Sequence, residues 1–149
     1  MDAFDADAII YAAEPGHPLG RRVIALFESV AHGDSAGVGS VLLVPEVLIR
    51  PQHVGARDEV AVLSAMLARL ELISVDAVVA HLAATLGAAY GLRAPDAVHL
   101  ATAVAVGADR FVTSNRRDFP RSIAEIAITY PDDLDDLDDP GPPAQRSQP

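Results

Sequence analysis

Residues 93–119, RAPDAVHLATAVAVGADRFVTSNRRDF, constrain the fold most because they combine a helix start, a helix stop and a strand in one short stretch. Pro95 suits the first helical position, where its missing N–H would be unpaired in any case, and Asp96 falls where the helix dipole favours negative charge. Residues 98–106 are mostly apolar on all sides, which predicts a buried helix that Gly107 ends. Residues 110–113 then form a predicted inner strand, and a polar loop follows it.

Two carboxylates of this stretch are expected to meet at one edge of a sheet. Asp118 lies in the loop that leaves the carboxyl end of the predicted strand, and this is the end at which α/β folds hold their ligands. Asp96 opens the helix that precedes the same strand. Acids elsewhere in the chain that follow a strand or begin a helix are candidates to lie at the same edge of the sheet.

Three other acids stand out by their surroundings. Asp5 lies where a short opening strand meets a first helix, and Asp7 lies at the start of that helix. Glu46 is the only acid of the apolar run SVLLVPEVLIR at residues 40–50. A carboxylate in such surroundings is costly unless it is paired or binds a metal. The run itself fits either a buried strand or a helix capped by Ser40, and we favour the helix.

The remaining elements indicate a mainly parallel sheet of four to five short strands with helices on both faces, an α/β fold. Hydrophobic periodicity and glycine or proline breaks predict helices over residues 17–31, 57–70 and 76–90, strands over residues 72–75 and 123–130, and a turn region with one brief strand over residues 33–39. We expect one domain over residues 1–131. Residues 132–149 are acidic and then rich in proline and glycine, which predicts a disordered tail.

Composition limits the chemistry. The chain has no cysteine, so a metal site must use oxygen or histidine ligands. It has a net charge of −10 and no lysine, which disfavours indiscriminate binding of nucleic acid but leaves local arginine contacts to phosphate open. No apolar run approaches the length of a membrane span, and we expect a cytoplasmic protein without a membrane partner.

Four segments resemble the PIN-domain ribonucleases, in particular the VapC-type toxins of bacterial toxin–antitoxin systems. They occur in the family's order within residues 2–130: FDADAIIYA, LLVPEVL, PDAVHLATAVAVGADRFVT and SNRRDF. The resemblance implies a PIN-like fold and an endoribonuclease that cuts single-stranded or loop RNA by means of metal-activated water. It also implies Mg²⁺ or Mn²⁺ as cofactor, a cognate VapB-type antitoxin as partner, and a homodimer.

Position by position, the resemblance implies a set of catalytic, metal-binding acids: Asp5, Glu46, Asp96 and Asp118. Many members have an acid where this chain has Asn115, whereas others place it just before the phenylalanine, as in TSNRRDF. Acids clustered in this way repel one another unless a cation neutralises them, and their hard oxygens suit Mg²⁺ or Mn²⁺.

Neighbouring residues are expected to assist these acids. Asn115 is expected to orient water or metal, and Asp7 to act as a helix-start acid or as support for the ligands. Ala6 stands where the family often has a hydroxyl residue, so Thr113 is a candidate to supply the missing hydrogen bond to Asp5. The candidates for contact with the RNA backbone are Arg116, Arg117 and Arg121.

Two other functions remain open. FDADAI and FVTSN resemble motifs of haloacid-dehalogenase-type phosphatases, although the chain lacks the lysine that this family uses and its late acids lie in the proline-rich tail. A non-catalytic PIN-like binding module is the other alternative, if Ala6 or Asn115 marks a decayed site. Aspartyl-phosphate trapping and metal affinity distinguish these alternatives from the nuclease.

Overall fold

The computed structural model describes residues 1–134. They contain five strands and six helices, with a pair of helices after each of the first three strands, and end in a short 3-10 turn at Pro131–Asp133. In chain order they are β1 (Asp2–Phe4), α1 (Ala6–Ala13), α2 (Pro18–Glu28), β2 (Gly37–Ser40), α3 (Leu43–His53), α4 (Arg57–Leu67), β3 (Leu70–Ile73), α5 (Ala77–Tyr90), α6 (Ala94–Ala105), β4 (Arg110–Val112) and β5 (Ala127–Thr129).

The strands form one sheet in the order β3-β2-β1-β4-β5, and every neighbouring pair is parallel. The predicted α/β fold with a parallel sheet of four to five strands is confirmed. Because all five strands run the same way, their carboxyl ends lie along a single edge. β1 and β4 are neighbours at the centre, so Asp5 and the loop after Val112 leave this edge side by side.

Alternating side chains of the strands bury two separate cores, one on each face of the sheet. Ala3 and Phe111 pack on the face covered by α5 and α6, whereas Phe4 and Val112 pack on the face covered by the first four helices. This is the period-two alternation of a strand that is buried on both sides. The central strands are therefore fixed from both faces, and so are the residues that follow them.

Two glycines shape the elements around the site. Gly107 has φ +68° and ends α6 just before β4, as its sequence position predicts. Gly37 opens β2 with φ +153°, and a Cβ there would lie 2.4 Å from the carbonyl oxygen of Asp2. Only glycine therefore lets β2 approach β1 so closely.

Several element boundaries differ from the sequence prediction. The favoured helix is present, but it spans Leu43–His53. Ser40 does not cap it: it is the last residue of β2, and its hydroxyl accepts a hydrogen bond from the Leu42 N–H. The last strand is shorter than predicted, because residues 123–126 bury isoleucines without joining the sheet. The disordered tail predicted from residue 132 is wrong at its start, since residues 131–133 form the 3-10 turn. Residues 135–149 of that predicted tail lie outside the described residues.

Within residues 1–134, no single helix is both long enough and apolar enough to span a membrane. α5 and α6 reach that length and composition only as a pair that is bent by 115°.

Candidate active site

Asp5 is the most deeply buried acid at the carboxyl edge of the sheet. It joins β1 to α1, and its backbone N–H donates to the Val112 carbonyl at 3.0 Å, which ties it to β4. Its side chain does not cap α1; its Oδ2 accepts a 2.7 Å hydrogen bond from the Thr113 hydroxyl. Burial at 3% exposure raises the pKa of Asp5 from 3.8 to about 7, against the opposing effects of His99 and Thr113. Asp5 is thus held in place and is poorly stable as an anion without a cation nearby.

A hydrogen-bonded chain runs from Asp5 into the loop after β4. The Thr113 hydroxyl donates to Asp5 and accepts from the Asn115 N–H at 3.1 Å. The Asn115 side-chain amide donates to Asp118 Oδ2 at 2.8 Å, and the Asp118 N–H returns a bond to Asn115 Oδ1 at 3.1 Å. The hydrogen bond that Thr113 was predicted to supply is present. Asn115 therefore exchanges two hydrogen bonds with the neighbouring Asp118.

Asp96 lies in the first turn of α6, as predicted, and its side chain is 12% exposed. Burial raises its pKa; Arg93, 3.7 Å away, opposes this, while Asp118 and Glu46 raise it further. Asp96 therefore shares one electrostatic environment with acids that come from two other elements.

Asp7 is drawn into the same environment more closely than the sequence indicated. It is half-buried in the first turn of α1, and burial raises its pKa. Repulsion from Glu46, Asp96 and Asp118 raises that pKa further. We call this group the acidic cluster; its members are Asp5, Asp7, Glu46, Asp96 and Asp118. Asp7 is as much a member as the four acids that the sequence put first.

Glu46 reaches the cluster from α3 with a partner that sequence reasoning missed. Its side chain is 35% exposed, so it is not the buried acid that its apolar neighbours suggested. Its Oε2 lies 2.5 Å from Nε2 of His99, a ring on α6 with no exposed surface. His99 follows Asp96 by three residues, which places both on one side of α6. That spacing was the available signal, but a residue 53 positions away in sequence could not be identified from it.

The arginines beside the cluster are engaged by the end of the described chain. Arg116 pairs with Asp132, and Arg121 Nη2 lies 2.6 Å from Asp133 Oδ1. Both guanidinium groups stack on the Tyr130 ring, at 4.2 and 4.8 Å from its centroid. Arg117, the third predicted RNA contact, is exposed. Two of the three predicted contacts are therefore neutralised by carboxylates.

The acidic cluster supplies oxygen ligands that suit a divalent cation, although its side chains do not form a complete coordination shell. Among residues 1–134, no three Asp, Glu or His side chains already stand in a metal-binding arrangement. Mg²⁺ keeps several waters and commonly binds only one or two protein carboxylates directly, so a complete coordination shell of protein side chains is not required. Oxygen donors that raise one another's pKa are those that a cation would stabilise. The residues present fit Mg²⁺ or Mn²⁺ bound partly through water.

With this geometry established, the comparisons with known proteins identify the family. The family model of the PIN domain matches residues 3–125. The chain belongs to the PIN domain family. The matched range contains all five members of the acidic cluster, and the resemblance noted in the sequence is confirmed. PIN domains are nucleases, so a hydrolase of phosphodiester bonds is the class of enzyme to which this PIN domain belongs.

Solved structures share its fold at low sequence identity. A chain of a toxin–antitoxin complex from Klebsiella pneumoniae has a TM-score of 0.68 and 21% identity over 88% of this chain and 98% of its own. A chain of VapBC2 from Rickettsia felis, bound to a promoter DNA fragment, has a TM-score of 0.67 and 20% identity, and the match covers 87% of this chain and 97% of that one. A chain of FitAB bound to a DNA fragment has a TM-score of 0.63 and 21% identity, and the match covers 92% of this chain and 99% of that one. No sequence match to a curated protein was found.

Proposed function

We propose that this PIN domain is a metal-dependent endoribonuclease of the VapC type, a toxin that hydrolyses single-stranded or loop RNA and is inhibited by an antitoxin. The observation that carries the proposal is the acidic cluster, in which carboxylates from four separate segments repel one another at the carboxyl edge of a PIN fold. Such an arrangement is stable with a bound cation and poorly stable without one.

Each member of the site has a proposed role. Asp5, Glu46, Asp96 and Asp118 would hold Mg²⁺ or Mn²⁺, and Asp7, which shares their electrostatic environment, would support them. When bound, such a cation lowers the pKa of a coordinated water and balances the charge of a phosphate. Thr113 fixes one oxygen of Asp5, and Asn115 fixes one of Asp118, so the acids keep their orientation when RNA arrives.

The RNA backbone would lie beside the loop that carries Asp118. Arg116, Arg117 and Arg121 are the nearest candidates for phosphate contacts, because a guanidinium group matches a phosphate with two parallel hydrogen bonds. Two of them already bind carboxylates, which are the protein groups most like phosphate oxygens. RNA would have to displace Asp132 and Asp133 to reach these two.

Partners are part of the same proposal. The structural neighbours are toxin–antitoxin complexes, which supports a small VapB-type antitoxin as partner and a cytoplasmic location, where its RNA substrate also occurs. A homodimer is proposed as well. The face formed by the first four helices exposes large apolar side chains that protein contacts would cover: Tyr11, Val44, Ile49, Val54 and Val62. Sedimentation of the chain alone tests the dimer, and Ile49→Glu should weaken it.

Membership in the PIN family argues against the first alternative, the haloacid-dehalogenase-type phosphatase. Its nucleophile would have been Asp5, which is a buried carboxylate that accepts a hydrogen bond from Thr113. A non-catalytic PIN-like module remains the competing hypothesis. It differs from the nuclease in one measurable property, because a module with a decayed site would bind divalent metal weakly or not at all.

The test is cleavage of a mixed pool of structured and single-stranded RNA by purified protein in Mg²⁺, in Mn²⁺ and in EDTA. Asp96→Asn is the site variant, and Asp34→Asn, an exposed acid in the loop before β2, is the matched control. We expect internal cuts that require metal. Asp96→Asn should slow them by more than about 100-fold, because even residues that only support metal ligands cost 10–100-fold when removed.

Calorimetric titration with Mn²⁺ accompanies the cleavage assay. Metal binding by the wild type that is lost in Asp96→Asn, together with metal-dependent cuts, supports the nuclease. Absence of both cutting and metal binding favours the non-catalytic module. Cuts that persist in EDTA would contradict the metal-dependent mechanism.

A further inference from the structure

His99 is the residue of the site whose contacts the proposed chemistry does not explain. Its ring lies on α6 without any exposed surface, and Nε2 bonds Glu46 Oε2 on α3 at 2.5 Å. The other ring nitrogen, Nδ1, is buried and has no hydrogen-bond partner among residues 1–134. A fully buried ring therefore uses its only observed side-chain bond to hold a partly exposed carboxylate.

The direction of this bond follows from the two groups. An ionised carboxylate only accepts hydrogen bonds, so the proton between the two side chains belongs to Nε2, which donates. The other ring nitrogen, Nδ1, is then left buried without a partner in the described part of the chain. An apolar side chain of similar volume would avoid that unpaired atom, so packing alone does not account for a histidine at this position.

Glu46 needs such a restraint more than Asp5 and Asp118 do. Asp5 and Asp118 receive hydrogen bonds from Thr113 and Asn115, which both follow β4. Glu46 has a longer side chain with more rotatable bonds and is exposed enough to turn into solvent. The bond from His99 joins α3 to α6 and keeps the Glu46 carboxylate within electrostatic reach of Asp7 and Asp96.

We infer that His99 is a positioning residue that holds Glu46 in the orientation needed for divalent-metal binding. This inference rests on the proposed metal site. His99 itself would not bind the cation through Nε2, because that nitrogen is occupied by Glu46. Outer hydrogen-bond partners of metal-binding carboxylates typically change metal affinity by 10–100-fold, and we expect an effect of this size.

Three substitutions separate positioning from packing. His99→Leu keeps much of the volume and removes the donor. In His99→Gln the side-chain amide nitrogen is placed near the original Nε2, whereas in His99→Asn it is placed near Nδ1 and falls short of Glu46. His81→Gln changes an exposed histidine of α5 and is the matched control. For each protein the Mn²⁺ dissociation constant is measured by calorimetry, and thermal unfolding is followed in EDTA.

We expect His99→Leu to unfold at or above the wild-type temperature in EDTA and to bind Mn²⁺ roughly 10–100-fold more weakly. His99→Gln should bind within a few-fold of the wild type, and His99→Asn should resemble His99→Leu. In a Glu46→Gln background, His99→Leu should cause no further loss, because the two residues act through one contact.

The outcomes distinguish this inference from the function on which it rests. If wild-type protein binds no Mn²⁺, the proposed function fails, and the inference fails with it. If the wild-type protein binds Mn²⁺ and all three His99 variants bind it as tightly as the wild type, the proposed metal site is retained and the positioning role of His99 is refuted. Should His99→Leu not fold, the comparison of His99→Gln with His99→Asn decides: equal affinities refute the role, and tighter binding by His99→Gln supports it.

Discussion

The burial of Asp5 predicts that the metal-free protein is destabilised by its own carboxylate at neutral pH. The pKa of Asp5 is about 7 in the folded protein and 3.8 as the ordinary value. Below pH 3.8 both the folded and the unfolded state hold the proton. Between these two values only the folded state holds it, so the free energy of unfolding falls as the pH rises, and the loss is complete above pH 7.

The size of this effect follows from the two pKa values. The interval between 3.8 and about 7 corresponds to about 4 kcal/mol of unfolding free energy at most. Over the accessible range from pH 5 to 8 the expected loss is about 3 kcal/mol. For a domain of this size that is on the order of 10 °C in unfolding temperature.

Asp5→Asn removes the titration while keeping one acceptor oxygen for the Thr113 hydroxyl. The amide has a single acceptor, so the variant carries an offset in stability that does not depend on pH. The informative quantity is therefore the difference in unfolding free energy between variant and wild type, followed from pH 5 to 8. Between pH 5 and 8, the unfolding free energy of Asp5→Asn should rise relative to that of the wild type by about 3 kcal/mol.

The assay is urea unfolding in EDTA, followed by far-ultraviolet circular dichroism at pH 5, 6, 7 and 8. Asp34→Asn provides the control for removing an exposed acid. Groups that do not interact with Asp5 titrate alike in both proteins and cancel in the difference. His99 and Asp7 interact with Asp5 electrostatically, so the difference reports Asp5 together with its coupling to them. A difference that stays flat with pH, or that moves in favour of the wild type, would refute the burial argument.

The remaining predictions concern the groups that support the site. Thr113→Val removes a hydroxyl that joins Asp5 to Asn115. It should lower the unfolding free energy by about 1–3 kcal/mol, measured by urea titration, and weaken Mn²⁺ binding, measured by calorimetry. Thr113→Ser should restore both. The double substitution of Asp132 and Asp133 by Asn should release the two paired arginines and tighten RNA binding in EDTA. Fluorescence anisotropy should then give a log–log salt slope steeper by about 0.7 for each arginine that engages a phosphate, and an unchanged slope would argue against these contacts.

The parts of the fold that the sequence predicted well are those determined by local pattern. The buried helix before β4, its glycine stop and the strand after it were predictable because the apolar helical run, Gly107 and the short segment of β4 follow one another closely in the sequence. The parallel sheet followed from the alternation of strands and helices. The predicted strand over residues 123–130 was less accurate, because Ile123 and Ile126 pack into a core while their backbone stays outside the sheet.

The candidate site divides along the same line. Asp5 was predictable because it follows a strand, Asp96 because it begins a helix, and Asp118 because it lies in the loop after a strand. Chain order alone brings these positions to the carboxyl edge. The His99–Glu46 bond was not predictable, since α3 and α6 cover opposite faces of the sheet and this bond joins their side chains. The 3-10 turn after β5 was missed for a related reason: its aspartates have low helix and strand propensity but are held by arginines 12 and 16 residues earlier.

Metal affinity and instability of the metal-free protein have one origin in this site. A carboxylate that is buried beside other carboxylates raises the free energy of the empty protein, and a bound cation lowers it again. Asp5→Asn should therefore gain stability in EDTA relative to the wild type as the pH rises, and lose Mn²⁺ binding. If it instead loses stability by the same amount at every pH, the main role of Asp5 is structural, as the partner of Thr113 and the link between β1 and α1. The acids that bind the cation would then be those on α1, α3, α6 and the loop after β4.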